Sequence, residues 1–517
     1  MGGRSARPPE ARPLSLVFFL LHPGYIRYFT ATFQLLTERG HTIHLAFALP
    51  EKDPGDAALL EALLRDEPRI TAGPAPARAP GDGWRAVALL VRGLTDLARF
   101  AHPRYAGAPM LRERIRNRFR TIVADAPRLN GPARRVCRVL IDVASAPASA
   151  RRADAQRRLL AAAERAIPTA PPVDAFLRGL RPNAVLASPV VEFGSTQVEP
   201  LKSARRLGIP SAVAVASWDN LTGKGLLRVV PDRVFVWNET QRGEAAEMHG
   251  IPAERVVVTG APKFDEWFER RPSRAPEEFA ARVGLPGPDY VLYVCSSPFI
   301  APDEVSFVRE WLSELRRQSD IGVVVRPHPQ NAAQWRDVSL DDPSAVVWPP
   351  DGAQPDAGEA RADFFDSLAH ASAVVGVNTS ALIEAAIVGK PVLTVLTDRF
   401  RGTQEGTLHF HYLLHENGGF LHVARRLDEH VEQLREALES GSERADRFVD
   451  AFVRPLGRDV NAALVLADEI EKLGRSRPLG APRPSSLLRL ALTPLAVAAG
   501  AMARRSETRS AQATLAD

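Results

Sequence analysis

Two short runs in the second half of the chain carry side chains able to grip an anion. Arg326-Pro327-His328-Pro329 closes an apolar run, Ile321–Val325, that reads as a buried strand. Its two prolines stiffen the loop and aim a guanidinium and an imidazole outward. Charge-assisted donors of that kind suit a diphosphate. His328 also reads as a surface imidazole in a turn; a cation pair at a strand's carboxyl end favours the phosphate role. The second run, Asn378-Thr379-Ser380, lies between a strand-like Ala373–Val377 and a helical Ala381–Val388. All three residues are favoured at helix N-termini, and a strand that feeds a helix N-terminus presents N–H groups to an anion. Glu384 falls one turn further in, on the face of Ser380, where a carboxylate can accept from the vicinal hydroxyls of a ribose. Taken alone, this stretch reads equally well as an ordinary βαβ unit with a solvated Glu.

Further polar residues follow other strand-like runs. Ser296 and Ser297 come after Tyr290–Val294, and Thr407 and His409 lie in the loop beyond Val392–Leu396. In the first half, Trp218, Asp219, Asn220 and Lys224 cluster in one loop, where an aromatic with an acid or amide suits sugar hydroxyls. The plainer reading is an Asx-type turn with Trp218 in the core. Glu192 and Glu199 are weaker candidates of the same kind, and Lys263 adds a cation in Gly260–Asp265. Transfer to a hydroxyl needs a general base. His22, directly after the first strand-like run, and Asp219 are the two candidates, and His22 reads equally as a structural histidine. His409 and His411 alternate as metal ligands can, but no carboxylate stands at ligand spacing. The expectation is neither metal nor cofactor.

The elements that must position these residues are legible as α/β alternation. At 517 residues, two large domains are the natural prior. A 45% apolar and 25% charged composition is that of a soluble globular chain. The formal net charge of +5 fits an anionic substrate or membrane surface without deciding between them, and no feature points to nucleic acid. Cys137 and Cys295, the only cysteines, exclude a disulfide framework. Leu14–Leu21 is too short for a signal peptide and reads as a first strand, which places the catalytic body in the cytoplasm. Residues 1–13 read as disordered and 14–275 as a first Rossmann-like domain. Within it, a Pro/Ala/Gly linker from Gly73 to Gly83 precedes a helical insertion at about 84–170. The insertion's alternating arginines, Arg112 to Arg120, read as a solvated face. Residues 271–288 read as a hinge and 285–473 as a second Rossmann-like domain. Beyond a linker in 474–517, Leu487–Ala503 is apolar with basic flanks and reads as a membrane-interfacial or docking helix. Contact of this helix with lipid would put the protein at the inner face of the cytoplasmic membrane; a docking helix or a disordered tail would leave it in the cytoplasm.

Glu384-Ala-Ala-Ile-Val-Gly389-Lys-Pro391-Val392 resembles the E-A-x-x-x-G-x-P-V signature of GT-B glycosyltransferases. Arg326–Pro329, Tyr290–Ser297 and Gly260–Asp265 resemble the wider group of CDP-glycerol glycerophosphotransferases, capsule polysaccharide glycosyltransferases and UDP-N-acetylglucosamine 2-epimerases. The resemblance implies two Rossmann-like domains across a cleft. It implies that the first domain takes the acceptor and the second the donor, that Glu384 holds the nucleotide ribose, and that His328 and the Thr379 and Ser380 hydroxyls grip the diphosphate. The first Glu of the two-Glu signature is replaced here by Gly376, and the Asp usual in glycerophosphotransferases is missing from Val377–Ser380. The first departure speaks against the retaining subgroup with paired carboxylates, and the second shifts weight toward sugar transfer. The expected function is metal-independent transfer from a nucleotide-activated sugar to a glycan or lipid-linked acceptor. A CDP-glycerol-type polyol-phosphate transferase, a 2-epimerase and a non-catalytic GT-B-like scaffold are the alternatives.

Overall fold

The computed structural model describes residues 12–50, 54–125, 131–355, 358–440, 443–480 and 484–514. Most of the N-terminal segment read as disordered, residues 1–11, lies outside this set. The chain forms two fully parallel sheets. The first has seven strands: β1 (Ser15–Leu20), β2 (Thr42–Phe47), β3 (Ile70–Pro74), β4 (Ala184–Ser188), β5 (Ser211–Ala214), β6 (Arg233–Val236) and β7 (Val256–Val258), in the order β3-β2-β1-β4-β5-β6-β7. The second has six: β8 (Tyr290–Val294), β9 (Gly322–Arg326), β10 (Ala345–Val347), β11 (Ala373–Gly376), β12 (Val392–Val395) and β13 (His422–Ala424), ordered β10-β9-β8-β11-β12-β13. Central strands such as β8 and β9 are buried at every position, as parallel strands covered on both faces must be. Two such domains sharing one cleft are the GT-B architecture.

Register fixes the edge that matters. Val294 pairs with Arg326 on β9 and with Gly376 on β11, so the loops after all three strands leave the sheet at one level. The side chain missing at Gly376 also has a packing cause. A Cβ there would lie 2.9 Å from the Val294 carbonyl oxygen and from its Cγ2, so no glutamate fits at this position.

The edge strands β3, β10 and β13 were not expected. The stretch read as a linker from Gly73 begins inside β3. Such strands are three to five residues long and partly exposed, so the apolar run that marks a central strand is missing. Two further boundaries differ. The expected hinge 271–288 is fastened to the second domain: Ser273 and Arg274 bond Asp366, Arg274 and Arg282 pair with Asp363, and Phe279 and Val283 enter that domain's core. The last helix of the expected donor domain, Ala462–Arg475, instead returns to the first. Leu466, Ile470 and Leu473 pack with β1 and β2, and Asp265 accepts from the Ala462 and Ala463 N–H groups at the helix start. The apolar stripe of that helix has its partner in the first sheet, a pairing that local sequence order does not reveal.

Among its described residues the insertion forms the α-helices Gly83–Phe100, Pro109–Ala124, Gly131–Ser145 and Ala150–Ala166. A buried ionic network ties it to the first sheet. Arg92 pairs with Glu164 (2.9 Å) and Glu199 (2.7 Å), Arg78 with Glu199 (3.0 Å), and Lys202 with Glu164 (2.8 Å). Glu199, a weak ligand candidate from sequence, is spent here. Arg116 and Arg120 make exposed pairs as expected of a solvated face, but Arg114 crosses to the second domain and covers the Phe299 ring at 3.9 Å.

Candidate functional site

A cavity of about 300 Å3 opens between the two sheets' carboxyl edges. From the second domain it takes Arg326, His328, Thr379, Ser380 and Glu384; from the first it takes Arg27, Tyr28 and Lys263. Six of the residues singled out in the sequence therefore meet in one wall.

Arg326 is the last residue of β9 and is 5% exposed. Its guanidinium lies over the Phe364 ring at 5.0 Å, and among the described residues neither Nη atom has a hydrogen-bond partner. Burial pulls its pKa down to about 10, so it stays charged at neutral pH. Native structures rarely leave such a group unpaired. His328 departs from the cation expected. Its Nδ1 accepts from the Gln330 N–H at 3.1 Å, and burial pulls the imidazole down to about 4. In the empty cleft it is neutral, with Nε2–H as its remaining donor.

Thr379 and Ser380 bring hydroxyls to the same wall. The helix they precede, Ala381–Ile387, is only seven residues long, and Ser380 makes no side-chain cap bond. Arg326 stands in the same lining as a cation whose Nη atoms no hydrogen bond satisfies among the described residues. Glu384, 8% exposed, already has a partner: Lys263 Nζ reaches across the cleft to its Oε1 at 3.2 Å.

Four other donor-side candidates are divided between bracing the loops and the domain contact. The Ser296 hydroxyl accepts from the Asn378 N–H (3.2 Å), the Asn378 amide donates to the Thr403 carbonyl (2.7 Å), and the Thr407 hydroxyl donates to the Gln404 carbonyl (2.9 Å). All three side chains are buried. His409 meets Trp218 of the first domain edge-to-face at 4.7 Å. Ser297 is half-buried in the loop after β8, outside the cavity wall.

On the first domain, His22 follows β1 by two residues. Its Nδ1 lies 2.7 Å from Asp56 Oδ2, and Arg27 donates to the other oxygen at 2.9 Å. Gly24 makes room for this pairing, since a Cβ there would overlap the Asp56 carboxylate. A chain of aromatic contacts links the pair to the cavity, from His22 to Tyr25 (5.0 Å) and from Tyr25 to Tyr28 (5.4 Å). Asp219, the rival base, is buried, which raises its pKa. Lys224 and His409 outweigh that and hold it below the usual carboxylate range. Lys224 in turn lies 3.4 Å from Glu192. Asn220 is a turn brace: its Oδ1 accepts from the Ala216 and Ser217 N–H groups, both at 3.2 Å.

Asp56, Arg27, Tyr28 and the Trp267–Phe364 pair (5.6 Å) were not singled out in the sequence. For Arg27 and Tyr28, the aromatic-basic run Tyr25–Phe29 directly after His22 was the available signal.

No protein-family model matches the chain, and no curated protein matches it. Among solved structures it is similar to a UDP-GlcNAc 2-epimerase from Methanocaldococcus jannaschii (11% identity over 89% of this chain and 100% of that one, TM-score 0.48). It is also similar to a glycosyltransferase from Rickettsia africae ESF-5 (9% identity, 89% and 98% covered, TM-score 0.48). A third is a variant of the wall teichoic acid polymerase TagF (9% identity, 90% of each chain covered, TM-score 0.42).

Proposed function

We propose that the protein transfers a sugar from a nucleoside-diphosphate donor to a hydroxyl of a glycan or lipid-linked acceptor, without a metal. The observation that carries this reading is the buried, unpartnered Arg326 guanidinium in a cavity whose wall also holds Glu384. An anion satisfies the first and a ribose diol the second. The donor's diphosphate lies against Arg326, His328 Nε2–H and the Thr379 and Ser380 hydroxyls. Its ribose hydroxyls donate to Glu384 and displace Lys263, which is then free to turn to the phosphates.

In the transfer step the acceptor oxygen bonds to the anomeric carbon and the carbon–phosphate oxygen bond breaks. The acceptor proton passes to His22, and the diphosphate leaves with its charge on Arg326. Asp56 orients the imidazole through Nδ1 and stabilises the imidazolium that forms. Preorganised charge at a leaving group is worth about 10²–10³ in rate. A thermal-shift screen of uridine, cytidine and guanosine diphosphates and their sugars tests the reading. One series should raise the melting temperature in the wild type and not in Glu384→Ala or Arg326→Met. Absence of any nucleotide effect overturns it. Turnover that persists in EDTA supports the metal-free step, and a strict divalent requirement opposes it.

A further inference from the structure

A second, larger cavity of about 540 Å3 lies under the carboxyl edge of the first sheet. This volume falls in the range of ligand pockets, about 300–1,000 Å3. Phe19 and Leu20 of β1, Ala48 and Ala75 beyond β2 and β3, and Ala88 and Leu89 of the Gly83–Phe100 helix line it, with the Pro76–Pro80 strap across it. Its buried charges are already matched: Arg78 and Arg92 face Glu199 and Glu164. The exposed Arg85 stands in the same lining, together with the polar Thr196 and Gln197, and adds a cation to a mainly apolar chamber.

Two observations say what fills it. One chain segment connects the two cavities: Leu20 lines the apolar one, His22 follows with Asp56, and Arg27 and Tyr28 line the polar one. A molecule whose apolar end occupies the larger cavity therefore presents its head past the His22–Asp56 pair toward the donor. The second observation is the C-terminal helix Ser486–Thr514, whose segment Ser486–Arg504 is long and apolar enough to cross a membrane. It presses on the helix that walls the cavity, so closely that a Cβ at Gly83 would overlap the Ala496 carbonyl oxygen. Leu487, Leu490 and Val497 remain 81%, 70% and 62% exposed. An uncovered apolar helix beside an apolar chamber with a cationic residue in its wall matches a ligand that arrives from a bilayer and carries an anionic group.

We infer that this cavity holds the hydrocarbon end of a lipid-linked acceptor, a long apolar chain bearing a phosphate, with Arg85 on the phosphate. The chain's role as acceptor rests on the transferase reading; its binding does not.

Farnesyl phosphate is the probe. With the full chain, a photoreactive farnesyl phosphate should crosslink within 75–92 and 194–200. Leu89→Trp and Ala79→Trp add bulk at exposed positions of the wall and leave the core untouched. Each should weaken farnesyl phosphate binding at least ~10-fold with the melting temperature unchanged. Binding of the nucleotide selected by the thermal-shift screen should be unaltered in both, so a failure of nucleotide binding is read separately. Arg85→Gln should weaken farnesyl phosphate and leave farnesol unaffected. Equal binding by wild type and both tryptophan variants, or crosslinks confined to 487–504, overturns the assignment. So does equal competition by lysophosphatidylglycerol, which would make the site a general lipid contact, or by inorganic phosphate, which would make it a site for the head alone.

Discussion

The two sides of the cleft differ in how their polar groups are satisfied. On the second domain, Arg326 is buried, charged and without a hydrogen-bond partner among the described residues. On the first, His22 has Asp56, Lys224 has Glu192, and Asn220 has the backbone of its own loop. Burying a charge that no hydrogen bond satisfies costs folding free energy, and Arg326 has only the Asp363 charge and the Phe364 ring to offset that cost. The first domain's groups are held ready in pairs. On the proposed function, the second domain's side is completed by the nucleotide and the first domain's side orients a proton acceptor. Lys263 joins the two sides through its pair with Glu384.

The strongest test of this contrast is on the paired side. His22→Asn should lower turnover by about 10²–10⁴, the usual worth of a general base, while nucleotide affinity stays unchanged. Asp56→Asn should follow it with a smaller loss. Steady-state rates beside calorimetric donor titrations check both, and a parallel fall in donor affinity would move His22 to the donor side. On the unpaired side, Glu384→Ala should weaken nucleotide binding by about ten- to a hundredfold, as loss of hydrogen bonds to a charged group does. A 2′,3′-dideoxyribose nucleotide should bind wild type and variant alike. If it discriminates between them as the ribose form does, Glu384 is not the ribose ligand.

A smaller effect follows from pH. An anion beside His328 raises its pKa from about 4, so nucleotide binding takes up a proton. Affinity should rise as pH falls from 7 toward 5, by at most about tenfold per unit, and His328→Gln should flatten the slope. The free protein responds oppositely: with the folded pKa depressed, His328 makes stability fall as pH drops from about 6.5 to 4. The smallest effect on activity belongs to the braces. Ser296→Ala and Asn220→Ala should cost about 1–3 kcal/mol of stability, read by urea denaturation, with the donor KM nearly unchanged. A KM effect without a stability loss would make either one a ligand.

Much of this contrast was legible in the sequence on one side only. Strand-loop-helix punctuation places Arg326, Thr379, Ser380 and Glu384 at a sheet edge from local order alone, and the parallel register then brings them together. Asp56 was invisible because its partner His22 lies 34 residues away on another element. Ser296, Asn378 and Thr407 were read as ligands because hydroxyls and amides in loops serve ligands and backbone alike. Only burial, which follows from tertiary packing, separates the two uses. The return of Ala462–Arg475 to the first sheet was hidden for the same reason.

The central claim is that Arg326 is kept unpaired for a diphosphate. Titrating the nucleotide selected by the thermal screen into wild type and Arg326→Met, with the melting temperature of each empty protein measured alongside, tests it most directly. The variant should lose at least about tenfold in affinity and melt no lower than wild type, because a costly buried charge has been removed. Unchanged affinity together with a marked drop in melting temperature would contradict the claim and make Arg326 a structural residue.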